Sequence, residues 1–419
     1  MTSVLRLDQP VMLVSVRQRI DIIFPFAMPD PDPRAKPAAG PVGEPSCTCH
    51  DCDFIRRILI PEMVHDRCFC EPGSREFVEF DSADVKHLDR KGSGPRENTL
   101  HRVTARVKFS GVTCSFPIII KLPKPHTDSP PSGPFLNEEM FYSKMTLDYG
   151  TNAVPRCYLS DLGRYDRAAI ALEDLAARGY TRVDYKLDED HLKLCVKTLA
   201  AFHGRGLKLR AHKFPIFREF YAKLSACPMD WLYLRTDTEA SIARTRSPEA
   251  RSDDPKCFDS SAYSALPVEA DLSGKMKKKW DVTTKLEYND FWTICHGNFT
   301  QDNLLFKYGK NGKPNDVKVI DWGTMRYCSP SIDFGHILLQ NLPDGDNLSE
   351  IETFCRNMLR IYLDFVKDEY QEVDRELLER DIIAKLPFAY GRIENLMPKE
   401  EITRRRLMLH TLDRLGSFD

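Results

Sequence analysis

Two polar side chains in the C-terminal half of the chain could together hold a divalent cation. Asn303 offers an amide oxygen and Asp321 a carboxylate. Mg²⁺ prefers hard oxygen ligands and is commonly held by one or two carboxylates together with phosphate oxygens. Phosphoryl transfer depends mainly on positioning and on neutralising phosphate charge, usually through Mg²⁺. The pair therefore indicates chemistry on a phosphate group.

The residues between these two side chains predict a hairpin. Asn311–Gly312 is a strong hairpin signal and lies between the apolar runs 304–306 and 317–320. The second run is apolar enough for a strand, so Asp321 would project from a strand end. A plain hairpin with polar ends is the alternative.

Segment 294–323 has the spacing of a kinase catalytic loop followed by a metal-binding strand end. His296, Gly297, Asn303 and Asp321 occupy the expected positions. The loop, the hairpin and the carboxylate follow one another without gaps. Together they favour a kinase-type site over the plain hairpin.

One position of this loop departs from the pattern. Such loops begin His-Gly-Asp or His-Arg-Asp, and Asn298 stands at the third position here. That Asp accepts the proton of the acceptor hydroxyl or orients the hydroxyl. Asn has no basic site, and general-base assistance is worth about 10²–10⁴-fold in typical enzymes. Asp302 is close in sequence, but a solvated residue is its favoured interpretation.

The strands upstream contain a candidate phosphate-binding lysine. Residues 103–109 alternate apolar and polar as a half-buried strand does, and Lys121 ends the apolar run of a second strand, 116–122. The helical stretch that follows offers Glu138, favoured over Glu139, as its partner. A kinase lysine at this place grips the α- and β-phosphates and pairs with a helix Glu. A solvated lysine at a strand end is the alternative.

A sparse glycine loop precedes the first of these strands. Gly92 and Gly94 could cover phosphates, but Pro95 lacks an N–H with which to hold them. An ordinary turn fits the same residues.

Four further stretches carry a resemblance to a known family. They match the family's F-x-x-E-x-x-F-Y helix, its L-E-D-L…G-F segment, its H…L-A-x-F-H helix and its S-P-x-x-D motif. In order they are Phe135–Tyr142, Leu172–Leu175 with Gly179–Tyr180, His191 with Leu199–His203, and Ser329–Asp333. The chain thus resembles the CHK kinase-like, or ecdysteroid kinase-like, family, a relative of choline kinases and aminoglycoside phosphotransferases. The resemblance extends over roughly residues 54–415.

The resemblance implies an α+β, two-lobed protein-kinase-like fold. The small lobe would be an antiparallel sheet with one helix, and the larger lobe would be mainly helical and carry the catalytic loop. The expected boundaries are a Pro-rich, partly disordered N-terminal extension of residues 1–53, a small lobe of 54–170 and a large lobe of 171–419.

The resemblance also implies ATP-dependent phosphorylation of a hydroxyl on a small lipophilic molecule, an ecdysteroid or a xenobiotic alcohol. Together with the kinase pattern above, it suggests roles for the candidate site residues. These are nucleotide binding by Gly92, Gly94, Lys121, Glu138, Glu173, Asp174 and Leu175, Mg²⁺ binding by Asn303 and Asp321, and catalysis by His296, Asn298 and Asp321. Because of Asn298, a catalytically silent pseudokinase that binds nucleotide or a lipophilic ligand stays open.

Composition narrows the remaining function classes. The net charge of −2 gives no basic field for nucleic acid. No apolar stretch approaches the roughly 20 residues of a spanning helix, so no membrane partner is expected. The 13 cysteines suit reduced thiols better than a disulfide scaffold. A cytoplasmic monomer is the expectation.

A cluster of Cys and His residues lies between the extension and the first strand. Thiolates and imidazoles at short spacing can hold Zn²⁺. The candidate ligands are Cys47, Cys49, His50, Cys52, Cys68 and Cys70. The pairs Cys47/Cys49 and Cys68/Cys70 have C-x-C spacing, not the usual C-x₂-C, and a helix-like stretch lies between them. Reduced cysteines without metal are therefore favoured over a zinc site.

Overall fold

The computed structural model describes most of the chain from residue 49 onwards. The described residues are 49–88, 98–124, 131–150, 152–165, 167–224, 275, 290–345, 347–396 and 402–418. They form a small lobe built on a sheet and a larger, mainly helical lobe, as predicted. No helix among these residues is long and apolar enough to cross a membrane.

The small lobe is built on a five-stranded antiparallel sheet of order β1-β2-β3-β5-β4. The strands are β1 (Val78–His87), β2 (Asn98–Phe109), β3 (Val112–Pro123), β4 (Cys157–Asp161) and β5 (Ala169–Glu173). The predicted alternation of β2 is confirmed, because Val103, Ala105 and Val107 are buried while Thr104 and Arg106 are not. Successive side chains of a strand point to opposite faces, so one face of this sheet is apolar.

A helical segment covers that apolar face. It comprises α1 (His50–Phe54), a π-helical turn (Ile55–Leu59) and α2 (Ile60–His65). Its buried side chains and those of the sheet form one core, which includes Phe54, Ile55, Leu59, Met63, Val85, Val103, Ile118 and Ile120. One helix was expected in the small lobe, and this helical segment is present in addition to that helix. Exposure of the apolar sheet face to water would be unfavourable, so the helical segment packs against it.

A second helical segment follows β3 in the chain and packs between the sheet and the large lobe. It comprises α3 (Gly133–Met140), a π-helical turn (Phe141–Met145) and α4 (Thr146–Tyr149). In α3, the amide Nδ2 of Asn137 donates to the carbonyl oxygen of Gly323, 3.0 Å away. The Phe141 ring stacks on Trp322 with centroids 3.8 Å apart. Trp322 therefore packs between the second helical segment and the large lobe.

The large lobe contains six helices and two small antiparallel sheets among the described residues. The helices are α5 (Glu189–His212), α6 (Phe214–Lys223), α7 (Ser331–Gln340), α8 (Leu348–Glu369), α9 (Arg375–Leu396) and α10 (Ile402–Arg414). The pairs are β6 (Thr293–Cys295) with β9 (Arg326–Cys328), and β7 (Leu304–Tyr308) with β8 (Pro314–Val319). The predicted hairpin is confirmed, with Leu304 opposite Val319. Gly312 has a φ of 73° in its turn, a conformation that favours glycine.

Gly335 of α7 packs directly against α9. A Cβ at this position would overlap the Cβ of Ala389 and approach Leu386 Cδ2 to 3.2 Å. Overpacking of a core usually costs about 1–3 kcal/mol. We expect Gly335→Ala to lower the free energy of unfolding by about that amount in a urea titration.

The double variant Gly335→Ala/Ala389→Gly is the matched control, because it moves one methyl group from α9 to α7. Its free energy of unfolding should lie within about 1 kcal/mol of the parent, since the two changes in helix propensity offset each other. Equal destabilisation of the single and double variants would show that the two helices do not meet as described.

Candidate active site

A cleft of about 300 Å³ lies between the sheet of the small lobe and the β7–β8 hairpin of the large lobe. Its lining is mostly apolar, with a few charged groups. The lining residues include Leu100, Arg102, Ile119, Lys121, Glu138, Leu172, Glu173, Asp174, Leu175, Arg182, Leu305, Ile320 and Asp321. A concave, mostly apolar site with a few converging polar groups is typical of small-molecule binding.

Lys121 is held by two carboxylates in this cleft. Its Nζ donates to Glu138 of α3, and to Asp321 Oδ1 at 3.2 Å. Burial acts to lower the pKa of Lys121, but the two carboxylates outweigh it and raise that pKa above its ordinary value. The lysine is therefore charged, and the three groups together carry one net negative charge. β3, α3 and the end of β8 meet at this point.

The conformation of Asp321 directs its carboxylate into the cleft. Asp321 follows β8 with φ 65° and ψ 62°, in the left-handed region. Non-glycine residues seldom adopt this region, at a cost of about 1–3 kcal/mol. The neighbouring Ile320 is fixed on both sides, because its N–H donates to the Asn303 carbonyl at 3.0 Å and its carbonyl lies 3.1 Å from His296 Nε2.

The loop before β7 is organised by its own side chains. Asn303 Nδ2 donates to the Asn298 carbonyl oxygen at 3.0 Å, which turns the amide oxygen Oδ1 away from that contact. The Asn298 N–H donates to His296 Nδ1 at 3.2 Å. The His296 ring packs against Trp322 with centroids 4.7 Å apart. The loop backbone is therefore fixed around Asn298.

A buried carboxylate below the loop holds its first residues. Asp333 accepts hydrogen bonds from the N–H of His296 at 2.6 Å and of Gly297 at 2.9 Å. His203 Nε2 lies 3.3 Å from the same carboxylate, and His203 Nδ1 lies 2.8 Å from the Tyr362 hydroxyl. Burial acts to raise the pKa of Asp333, but the hydrogen bond and charge of His203 outweigh it and lower the pKa to about 2.

Gly297 is the residue that this arrangement requires. Its φ is 80°, and a Cβ there would overlap the carbonyl oxygen of Thr324. The Thr324 hydroxyl in turn donates to the His296 carbonyl at 3.1 Å. Any larger residue would force the loop away from the segment after Asp321.

Residues 173–175, which were predicted to bind nucleotide, line the cleft. Asp174 Oδ2 lies 2.7 Å from Arg102 Nε, and the Asp174 N–H donates to the Pro117 carbonyl at 3.0 Å. Glu173 pairs with Arg178 at 2.8 Å, and Leu175 is buried against the cleft.

A family model for the ecdysteroid kinase-like family matches residues 99–375. The chain belongs to the ecdysteroid kinase-like family. Membership supports a small-molecule phosphotransferase with a kinase-like fold. No curated protein sequence matches this chain significantly.

Solved structures similar to this ecdysteroid kinase-like protein include two phosphotransferases. A putative aminoglycoside phosphotransferase from Ralstonia eutropha is 13% identical, with a TM-score of 0.41, over 85% of this chain and 98% of its own. A choline kinase from Cryptosporidium parvum is 11% identical, with a TM-score of 0.40, over 85% of this chain and 94% of its own.

The structure brings most of the predicted site residues of this ecdysteroid kinase-like protein into one region. Lys121, Glu138, Asp321 and segment 173–175 line the cleft. His296 and Asn303 contact Ile320, which lines the cleft, and Asn298 contacts both of them. Gly92 and Gly94 lie outside the described residues.

Two basic cleft residues and the Asp333 carboxylate were not assigned roles from the sequence. Arg102 is one of several charged residues on an alternating strand, and nothing in its spacing points to the cleft. Arg182 lies in a stretch without a recognisable motif. Asp333 belongs to the S-P-x-x-D match, which signals its importance but not its contacts.

The predicted Cys/His cluster does not gather as one set of ligands. Among the described residues, Cys49 and Cys52 group with His101 of β2, whereas His50, Cys68 and Cys70 belong to no group of three or more possible ligands. Cys47 lies outside the described residues. His101 was missed because strand pairing, and not sequence spacing, brings it to the cysteines.

Replacing Asp333 tests whether its carboxylate stabilises the loop at His296 and Gly297. An asparagine side chain at this position would place an NH₂ group against a backbone N–H or His203, so Asp333→Asn should lower the free energy of unfolding at pH 7 by about 3 kcal/mol or more. Urea titrations measure this, with the exposed Asp302→Asn as the matched control expected to change little.

The same variant has a predicted pH dependence. The pKa of Asp333 falls from an ordinary 3.8 to about 2 on folding, so its stabilisation is present above pH 4 and is lost as pH falls from 4 towards 2. The difference in unfolding free energy between the parent and Asp333→Asn should therefore be fully present at pH 5 and shrink as the pH falls from 4 towards 2. A difference that stays constant down to pH 2.5 would contradict the assignment.

Proposed function

We propose that the protein is an ATP-dependent phosphotransferase that acts on a hydroxyl of a small lipophilic alcohol. The observation that carries the proposal is the Lys121 ammonium held between Glu138 and Asp321 at the wall of the interlobe cleft. The ammonium of Lys121 can donate hydrogen bonds to phosphate oxygens, because α3 and the end of β8 already hold it at the wall of the cleft. Family membership supports the same activity.

The charge in the cleft suits a divalent cation with a polyphosphate. The Asp321 carboxylate and the Asn303 amide oxygen are the hard donors that Mg²⁺ prefers, and these two residues would hold the ion. Bound there, the ion would neutralise charge on the β- and γ-phosphates. The donor set and the net negative charge of the Lys121 cluster fit this ion.

The apolar walls of the cleft suit a flat base. Leu100, Ile119 and Leu172 come from the sheet, Leu175 from the segment that follows β5, and Leu305 from the hairpin. Arg102 is anchored by Asp174 and provides positive charge at the same cleft. We assign the adenine to the side bordered by residues 173–175.

An aromatic cluster near the catalytic loop supports a lipophilic acceptor. Tyr327 of β9 lies 4.9 Å from Tyr221, 5.6 Å from Trp292 and 5.7 Å from Phe217, measured between ring centroids. Tyr327 pairs with Ile294 of β6, two residues before His296. Tyr221 is partly exposed. An ecdysteroid or a xenobiotic alcohol has the apolar ring surface that such a cluster would bind.

Asn298 determines how fast the transfer proceeds. Its backbone is held by hydrogen bonds to His296 and Asn303. Its amide can orient a hydroxyl but cannot accept the proton. Binding and charge neutralisation are retained, so slow transfer is expected.

The second candidate function is a catalytically silent protein that binds nucleotide. The observation that favours it is Asn298 itself, in a loop whose other contacts are all intact. The two candidates share the cleft and differ only in turnover.

Restoring the carboxylate should therefore raise the rate. Asn298→Asp is expected to increase kcat by about 10²–10⁴-fold, because it restores general-base assistance without changing side-chain size. The measurement is transfer of labelled γ-phosphate from Mg·ATP to a panel of steroid and xenobiotic alcohols. Asp321→Ala in the Asn298→Asp background should abolish transfer, and Asp302→Asn should leave it unchanged.

The outcomes separate the candidates. Slow transfer by the native chain that Asp321→Ala abolishes supports the enzyme. Transfer by Asn298→Asp alone supports the silent binder. Transfer by neither, across the panel, contradicts the proposed phosphotransferase.

Nucleotide binding is tested independently of turnover. Lys121→Met removes the cation that would contact the phosphates, and should weaken ATP binding by about 10–100-fold, the value of a hydrogen bond to a charged group. Isothermal titration with Mg·ATP measures this. Lys124→Met is the matched control, since Lys124 is exposed three residues further along the same strand end. Equal affinities of the two variants would contradict the assigned role.

A further inference from the structure

Three possible metal ligands meet behind the sheet of the small lobe. The Sγ atoms of Cys49 and Cys52 and a ring nitrogen of His101 all lie within 4.8 Å of one another. Cys52 and His101 are fully buried, and Cys49 is exposed. The two cysteines have C-x₂-C spacing, which is typical of zinc sites.

The surrounding contacts hold these side chains in place. Cys49 directly precedes α1, and Cys52 lies in its first turn. Between them, Asp51 accepts hydrogen bonds from Thr99 Oγ1 at 2.9 Å and from Arg167 at 2.8 Å. Thr99 and His101 are two residues apart on β2 and therefore share a face of the sheet. The Asp51 contacts thus fix the start of α1 directly over His101.

His101 has one ring nitrogen bonded and one without a partner. Its Nε2 lies 3.3 Å from Nδ1 of His87 on β1. Its Nδ1 is buried and has no hydrogen-bond partner among the described residues. A buried polar atom without a hydrogen-bond partner is unfavourable. A metal ion bound at Nδ1 would give this atom a partner.

We propose that Cys49, Cys52 and His101 form a Zn²⁺ site. Two thiolates and one imidazole are the ligands that Zn²⁺ prefers, and each coordinating thiol gives up its proton to solvent on binding. His87 would fix the orientation of the His101 ring, as outer hydrogen-bond partners of metal-binding histidines do. The exposure of Cys49 leaves the fourth position open to water.

This site is separate from the cleft and goes beyond the proposed function. Leu100 and Arg102 line the cleft, and His101 lies between them on β2, so its side chain points to the opposite face. The ion would fasten α1 to β2 and so secure the helical cover of the sheet. Its binding free energy would add to the stability of the small lobe.

The test uses the full-length chain purified in reductant, stripped of metal and titrated with Zn²⁺ and Co²⁺. We expect about one ion per chain, with the Co²⁺ form showing tetrahedral thiolate absorption bands. Cys49→Ser and Cys52→Ser should each weaken Zn²⁺ binding by at least about tenfold and remove those bands. Cys70→Ser and Cys114→Ser are the matched controls and should bind as the parent does.

Zn²⁺ binding should also increase the thermal stability of the protein. Zn²⁺ should raise the Tm of the parent and of both control variants, but not of Cys49→Ser or Cys52→Ser. Two results would overturn the proposal: no stoichiometric Zn²⁺ binding by the folded parent, and unchanged Zn²⁺ binding by both Cys49→Ser and Cys52→Ser. Circular dichroism of the parent and of each variant verifies that they are folded, so loss of structure cannot be mistaken for loss of the site.

Discussion

The ammonium of Lys121, held between Glu138 and Asp321, is the interaction on which the candidate active site depends. It joins β3, α3 and the end of the hairpin, which are distant in sequence and come from both lobes. Two carboxylates in a half-buried site would repel each other without a cation between them. The lysine removes that repulsion, and the remaining negative charge favours a metal ion and its phosphate partner. The charged groups of Lys121, Glu138 and Asp321 therefore hold the two lobes together and also take part in the proposed chemistry.

A second set of buried contacts keeps the carboxylate of Asp321 in place from below. Asp333 holds the loop backbone at His296 and Gly297, and His296 holds the carbonyl next to Asp321. Trp322 packs between the lobes against Phe141. The loop is thus fixed by groups that do not themselves line the cleft.

The parts of the structure that follow from local signals were predicted from the sequence. The Asn311–Gly312 turn and the alternation of β2 are local, and the contact between Lys121 and Glu138 follows from a strand and a helix that are consecutive in the chain. The contacts of Asp333 and the meeting of His101 with two cysteines depend on tertiary packing, which spacing does not encode. The helix-like stretch between the cysteines was recognised from the sequence, but its packing on the sheet was not, because the need for this cover arises only once the apolar face of the sheet exists.

The most direct test of this account is a crystal structure of the protein with Mg²⁺ and a non-hydrolysable ATP analogue. The account predicts phosphate oxygens within hydrogen-bond distance of Lys121 Nζ, the ion bound by Asp321 and Asn303, and the base beside residues 173–175. An analogue bound elsewhere, or a cleft in which Lys121 keeps both carboxylates and contacts no phosphate, would contradict it.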